Sequence, residues 1–204
     1  LRSGDVARAR AVIARWRGDT AGELTPSEAA RVAIELGLLR SHRHVFGVIV
    51  WFVLLGAAGA IIYRLAALLH DRWGGARDGT PDDRGAFGQF AARAFDLMDW
   101  LPLRMTAFSF AVAGDFMGAV ESWRSQAQTW RVRSQGILLA AAAGALGVKL
   151  GGVLHQDSGI EYRPQLGDGE EVDVDSMDAA AGLIWRALVL WLFLVLLVTL
   201  ARAV

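Results

Sequence analysis

Residues 45–69 form an unbroken apolar run that carries one charge, Arg64. As a helix rising about 1.5 Å per residue, such a run reaches across the roughly 30 Å hydrocarbon core of a bilayer. A second run at 183–201 again holds one arginine, Arg186. Neither suits the outside of a water-soluble domain. The sequence therefore predicts an all-α, polytopic integral membrane protein with amphipathic helices at the interface. A hydrophobic content of 54% and a mean hydropathy of +0.34 agree with lipid as a partner, since soluble domains usually lie at about 45–50% apolar.

Zero formal net charge gives no case for nucleic acid, because a phosphate-binding surface needs an excess of Lys and Arg. The absence of cysteine excludes disulfides, thiolate metal sites and a cysteine nucleophile. The chain begins at Leu1 with no signal-peptide pattern, and the expectation is that further N-terminal spans belong to the protein.

Residues 1–44 are read as amphipathic interfacial helices and 45–204 as the membrane domain. In 1–19, Val6, Ala9, Val12, Ile13 and Trp16 recur at helical spacing among arginines. Thr25-Pro26-Ser27-Glu28 is a helix start, with Thr25 as cap, Pro26 in the first turn and Glu28 reaching back. The helix it opens places Glu35 opposite the apolar face or at its edge, a solvated position. It runs into Arg40-Ser41-His42-Arg43-His44, read as a head-group collar. His42 and His44 find no further ligand at motif spacing, so no metal site is predicted. Arg64 and Arg186 stand near the ends of their spans, where snorkelling accounts for them.

Two shorter apolar segments, 101–120 and 136–152, are interrupted by Arg104, Asp115 and Lys149. Each is short for a crossing and reads as a buried short helix or a re-entrant element. Residues 153–178 hold eight acids against one arginine, Arg163, and read as a solvated loop. They lack the spacing of a calcium-binding loop. Asp175 is the expected cap of the last helix. Gly56-x-x-Gly59 and Gly144-x-x-Gly147 offer smooth faces for close helix contact, within the chain, in a homo-oligomer or with a membrane-protein partner.

Several strings, in order, resemble the CobD/CbiB family of cobalamin-biosynthesis membrane proteins. They are Arg17-Gly18-Asp19-Thr20, Glu28 through Glu35 (EAARVAIE), Gly59 through Arg64 (GAIIYR), Leu101 through Thr106 (LPLRMT) and Gly144 through Gly152 (GALGVKLGG). The resemblance implies ATP-dependent amide coupling of an aminopropanol, or its phosphate, to adenosylcobyric acid, a corrinoid substrate, at a bacterial inner membrane. It implies Glu35 and Lys149 as catalytic residues. It also implies Asp19, Thr20, Arg104 and Thr106 as substrate contacts, with ATP and Mg²⁺ as cofactors. Carboxylates expected after the glutamate helix and after the Tyr-Arg pair are replaced here by Leu39 to Val45 and Ala67 to His70. The Ser-His-x-His collar and Asp99 through Arg104 are also similar to AmpE, which implies the alternative of a non-catalytic regulatory or partner-binding membrane protein without cofactors.

Overall fold

The computed structural model describes residues 24–74, 85–156 and 159–203. The chain divides into two compact units, Ser41–Thr106 and the remainder, Leu1–Arg40 with Ala107–Val204. The expected helix in 1–19, with Asp19 and Thr20, lies outside the described residues.

Helix α1, Pro26–Ser41, starts as its sequence dictates. The Glu28 carboxylate accepts from the Thr25 amide at 2.8 Å and from the Thr25 hydroxyl at 2.9 Å. These bonds satisfy donors that a helix start leaves open. The helix continues through a wider, π-helical turn at His42–Phe46 into α2, Gly47–Leu69.

Helix α2 is where the expectation of one straight crossing over 45–69 is revised. Gly56 has φ 67° and ψ −156°, a region essentially reserved for glycine. The chain folds back there. A side chain on Gly47 would collide with the Tyr63 hydroxyl and ring, one on Gly59 with the Trp51 carbonyl, and Arg64 bonds His44. In a straight helix Gly47 and Tyr63 would stand about 24 Å apart. The two arms, 47–55 and 57–69, are about 14 Å and 20 Å long, each short of a hydrocarbon core. The physical reason is local: Gly56 permits the reversal, and Gly47 and Gly59 let the arms close to backbone contact. Small residues at Gly56 and Gly59 therefore serve packing within the chain, and Arg64 has a side-chain partner instead of reaching for head groups.

Helix α3, Gly85–Ala113, packs Phe95 and Met98 against Val48, Trp51, Tyr63, Ala66 and Ala67 of the hairpin. Pro102 lies inside α3 and has no N–H for the Met98 carbonyl. The indole N–H of Trp51 takes its place, 3.2 Å from that oxygen. Helix α3 ends at Gly114, and Asp115 caps α4, Phe116–Gln126, accepting from the amides of Met117 and Gly118. The expected apolar segment 101–120 is thus two helices joined at Gly114–Asp115.

Helix α5, Arg133–Leu146, is buried continuously from Gly136 to Ala145, as an all-round apolar helix must be. Gly144 and Gly118 touch backbone to backbone across α4 and α5. Gly147, with φ 65° and ψ 35°, closes α5 in the left-handed cap conformation. The segment 136–152 therefore passes from helix into strand.

The fold is mostly helical, as expected, but 153–178 is more than a solvated loop: it holds four short strands, and a fifth precedes it. They are β1 Val148–Gly151, β2 Leu154–Gln156, β3 Gly159–Glu161, β4 Gln165–Leu166 and β5 Glu170–Glu171. Strand β1 pairs antiparallel with β4 and parallel with β5, while β2 and β3 form an antiparallel hairpin. Strands of two to four residues are too short to display a two-residue alternation. Helix α6, Asp175–Ala203, closes the chain. Its start is held by Asp173, whose carboxylate accepts from the Ser176 amide at 2.7 Å, two residues before the expected cap at Asp175.

By length and composition, two helical stretches are apolar enough for a membrane, Asp175–Ala201 and Pro26–Gly74, the second of which reverses at Gly56. Only 17% and 22% of their most apolar windows are buried. The core helix of a soluble protein would be mostly covered, so these surfaces need an apolar solvent.

Candidate functional site

In the larger unit, charged residues of α1 face the strand region. Glu28, Arg31 and Glu35 are spaced by three and four, which places them on one helix face. All three grip the segment Gly151 to His155. Glu35 accepts from the Gly151 amide at 2.7 Å. Arg31 donates to the Val153 carbonyl. Glu28 accepts from the His155 ring at 2.7 Å and from its amide at 3.3 Å. Two strings far apart in sequence, Glu28–Glu35 and Gly144–Gly152, thereby meet through named contacts.

The turn at Gly151-Gly152 explains why glycine stands there twice. Their φ values are +73° and +74°, and a Cβ on Gly151 would strike the Pro164 carbonyl. Gly152 also donates to that carbonyl at 3.1 Å. The turn is sealed by Arg163, which bridges to Glu35 at 2.8 and 3.3 Å and stacks on Trp130, 5.4 Å from the ring centre. Glu35 is 4% exposed. The expectation of a solvated Glu35 is corrected: the strands cover that helix edge, and the two-pronged pair with Arg163 compensates its burial.

Glu28 differs from Glu35 in what its partner leaves open. Burial alone would raise the Glu28 pKa. The hydrogen bonds from His155 and Thr25, with the positive charge available on His155, outweigh that and hold it below the ordinary carboxylate value. An ionised carboxylate only accepts, so the His155 Nδ1 at 2.7 Å is the donor. Nε2 is then the basic nitrogen of the neutral ring. The His155 side chain is 51% exposed.

Lys149, Arg104 and Thr106 each have partners of their own among the described residues. Lys149 lies on β1 and pairs with Glu171 of β5 at 3.3 Å, at the surface. Arg104 lies over Trp100 on its own helix, 4.2 Å from the ring centre, and donates to the Trp100 carbonyl at 3.0 Å. Thr106 is fully buried and belongs to a polar knot in the smaller unit. Its hydroxyl donates to Pro102 at 2.9 Å and stands 3.0 Å from His42 Nδ1. The other nitrogen of His42 is 3.0 Å from Asp99, which also accepts from Tyr63 at 2.7 Å. His42 is 4% exposed, so this member of the expected head-group collar is instead an internal tie across the hairpin base. Glu35 and Arg163, by contrast, form a pair that sequence reading did not join.

Arg31, His155 and Arg163 escaped the sequence reading. Signals for two were present: the three-and-four spacing of Glu28, Arg31 and Glu35, and Arg163 as the lone base in an acidic stretch. Among the described residues no group of three His, Asp or Glu is placed to hold a metal ion, and Glu28 and Glu35 are already committed to other donors.

Long exposed apolar helices, together with a charged helix-to-strand clamp, point to a membrane-associated protein with a small polar subdomain. The chain belongs to the CobD/CbiB family: the family model described as "CobD/Cbib protein" matches residues 1–184. It is similar to the cobalamin biosynthesis protein CobD of Stutzerimonas stutzeri, 34% identical over 94% of this chain and 62% of that protein. The corresponding figures for CobD of Chromobacterium violaceum are 36%, 94% and 60%. For the cobalamin biosynthesis protein CbiB of Salmonella typhimurium they are 25%, 96% and 62%. The chain thus spans about three fifths of the length of these curated relatives. No solved structure matches it. Family and apolar helices together point to a membrane protein.

Proposed function

We propose that this chain forms part of a cobalamin-biosynthetic enzyme of a bacterial inner membrane. Its reaction is the ATP-dependent coupling of an aminopropanol, or its phosphate, to the carboxyl of adenosylcobyric acid. The observation that carries the reading is the docking of Glu28, Arg31 and Glu35 on the Gly151–His155 segment. The two family strings meet there in a polar, partly open setting. Amide synthesis needs an acceptor for the amine proton and a cation beside the activated carboxyl. That face of α1 supplies both residue types.

The AmpE-like alternative rests on the Ser-His-x-His and Asp99–Arg104 strings. Their meeting point is the buried His42–Asp99 tie, and holding a hairpin together accounts for both strings without a regulatory partner. The test is complementation: the full-length protein is expressed in a strain lacking the synthase step, and cobinamide is measured. Cobinamide production supports the reading, while a protein that inserts into the membrane and yields none refutes it.

A further inference from the structure

Two polar groups on the clamp have no partner among the described residues, and they lie on neighbouring positions. One is His155 Nε2. The ring is fixed through Nδ1 by Glu28, and half of the side chain is open to solvent. The other is Arg31 Nε, which is buried without a hydrogen bond. A buried donor left unpaired costs about 1–3 kcal/mol, so Arg31 is held by the clamp with part of its hydrogen-bonding capacity unused. Arg31 follows Glu28 by one helical turn, at a Cβ separation of about 5–6 Å. Its contact, the Val153 carbonyl, is two residues from His155 on the strand side. Gly152 has no side chain, and Arg31 Nη1 is among the nearest atoms to where one would begin. A tie between α1 and β2 would need only the His155 amide, which Glu28 already accepts from. An imidazole oriented by a carboxylate, with its second nitrogen open, is the arrangement of a general base.

Building on the amide-coupling reading above, we propose that His155 is the proton acceptor and Arg31 the oxyanion holder of this site, with Glu28 as the positioning residue. The substrate is an acyl phosphate made from the corrinoid carboxyl and a nucleoside triphosphate. The amine nitrogen attacks the acyl carbon, the C–N bond forms, and the C–O bond to phosphate breaks with its electron pair leaving on phosphate. The proton lost by nitrogen goes to His155 Nε2, and the imidazolium formed is stabilised by the Glu28 carboxylate. The Arg31 guanidinium faces the phosphate oxygens. Among the described residues, the charged groups on the elements packed about His155 are Glu28 and Arg31 of α1 and Glu161 of β3. Glu161 pairs with Leu154, so it belongs to the alternate face of the hairpin.

The experiment uses the full-length protein in detergent and has two arms. In the first, amide formation is followed against pH for wild type, His155→Gln, Glu28→Gln and Arg31→Gln, with circular dichroism to confirm folding. Glutamine at 28 retains the helix-start bonds. His155→Gln should lower kcat by about 100-fold or more and remove the ascending limb of the pH profile. Glu28→Gln should lower kcat and leave KM unchanged, because the ring loses the acceptor that orients it. Arg31→Gln should raise KM for the acyl phosphate. In the second arm, diethyl pyrocarbonate modification of His155 is followed by peptide mass with and without inorganic phosphate. Phosphate should slow modification in wild type and not in Arg31→Gln. If wild type forms no amide but phosphate protects His155 through Arg31, the amide reading fails and the site stands. An active wild type whose folded His155→Gln variant keeps its rate and pH limb overturns the proposal. So does an absence of phosphate protection, whatever the rate.

Discussion

Gly56 decides which side of a bilayer the chain emerges on after its first apolar run. If α2 were straight, His44 and His70 would be separated by about 39 Å of helix and would face opposite sides of a 30 Å core. With the reversal at Gly56, the exposed Leu54 and Leu55 stand at the apex, and the expected outcome in a bilayer is that both ends emerge on one side. The chain has no cysteine, so His44→Cys and His70→Cys each introduce a unique label site. In sealed vesicles, a membrane-impermeant maleimide should reach both from the same side. A short bifunctional maleimide should also join His44→Cys to Arg64→Cys, residues a straight helix would hold about 30 Å apart. The perturbation that tests the cause is Gly56→Ala. No atom lies within 4 Å of where its Cβ would stand, so the change adds no clash and acts only through backbone conformation. The cost is about 1–3 kcal/mol, or roughly 5- to 150-fold against the reversed form. Cross-linking should fall accordingly. Opposite-side labelling of the two cysteines, or no cross-link in the parent protein, refutes the hairpin.

The remaining expectations concern the clamp and the knot. Arg163→Met strands the buried Glu35 carboxylate and should lower stability by about 3–5 kcal/mol, seen as a lower unfolding midpoint in detergent. Adding Glu35→Leu to it should recover most of that loss. Gly151→Ala should cost about 2 kcal/mol or more from its positive φ and the Pro164 carbonyl, by the same assay. Asp99→Ala leaves the His42 ring and the Tyr63 hydroxyl without their acceptor in a buried setting, at about 1–3 kcal/mol for each donor. The lowered Glu28 pKa sets a sign for pH. Its contribution is complete above the unfolded carboxylate value of about 4.3 and is lost as pH falls through the lower folded value. The unfolding midpoint of Glu28→Gln should therefore depend less on acid than that of wild type.

What the sequence made legible followed from features with one dominant cause. The helix start at Thr25–Glu28 rests on local hydrogen bonding, and the structure reproduces it. The hairpin was hidden because apolar periodicity continues through Gly56 unchanged, and hydropathy carries no direction. A single glycine in a glycine-rich run does not announce a reversal. The strands were hidden because they are held by neighbours distant in sequence, such as the Gly151 amide on Glu35, and not by their own side-chain pattern.

In the site, residue type and motif membership point to one set of residues and the saturation of their hydrogen bonds to another. Glu35 and Lys149 stood out as the acid and the lone lysine of two distinctive strings. Yet every bond that Glu35 makes is to a structural partner: the Gly151 amide fixes one oxygen, and Arg163 reaches both. Such a carboxylate has little capacity left for substrate, and removing it should act first on folding. Glu28 is equally bound, but the group it binds is not closed, because a histidine has a second nitrogen. Chemistry can be passed through such a ring and cannot be passed through a guanidinium that never deprotonates. The two carboxylates of one helix face thus divide the work by their partners: one locks the Gly151-Gly152 turn, and the other sets the imidazole beside it.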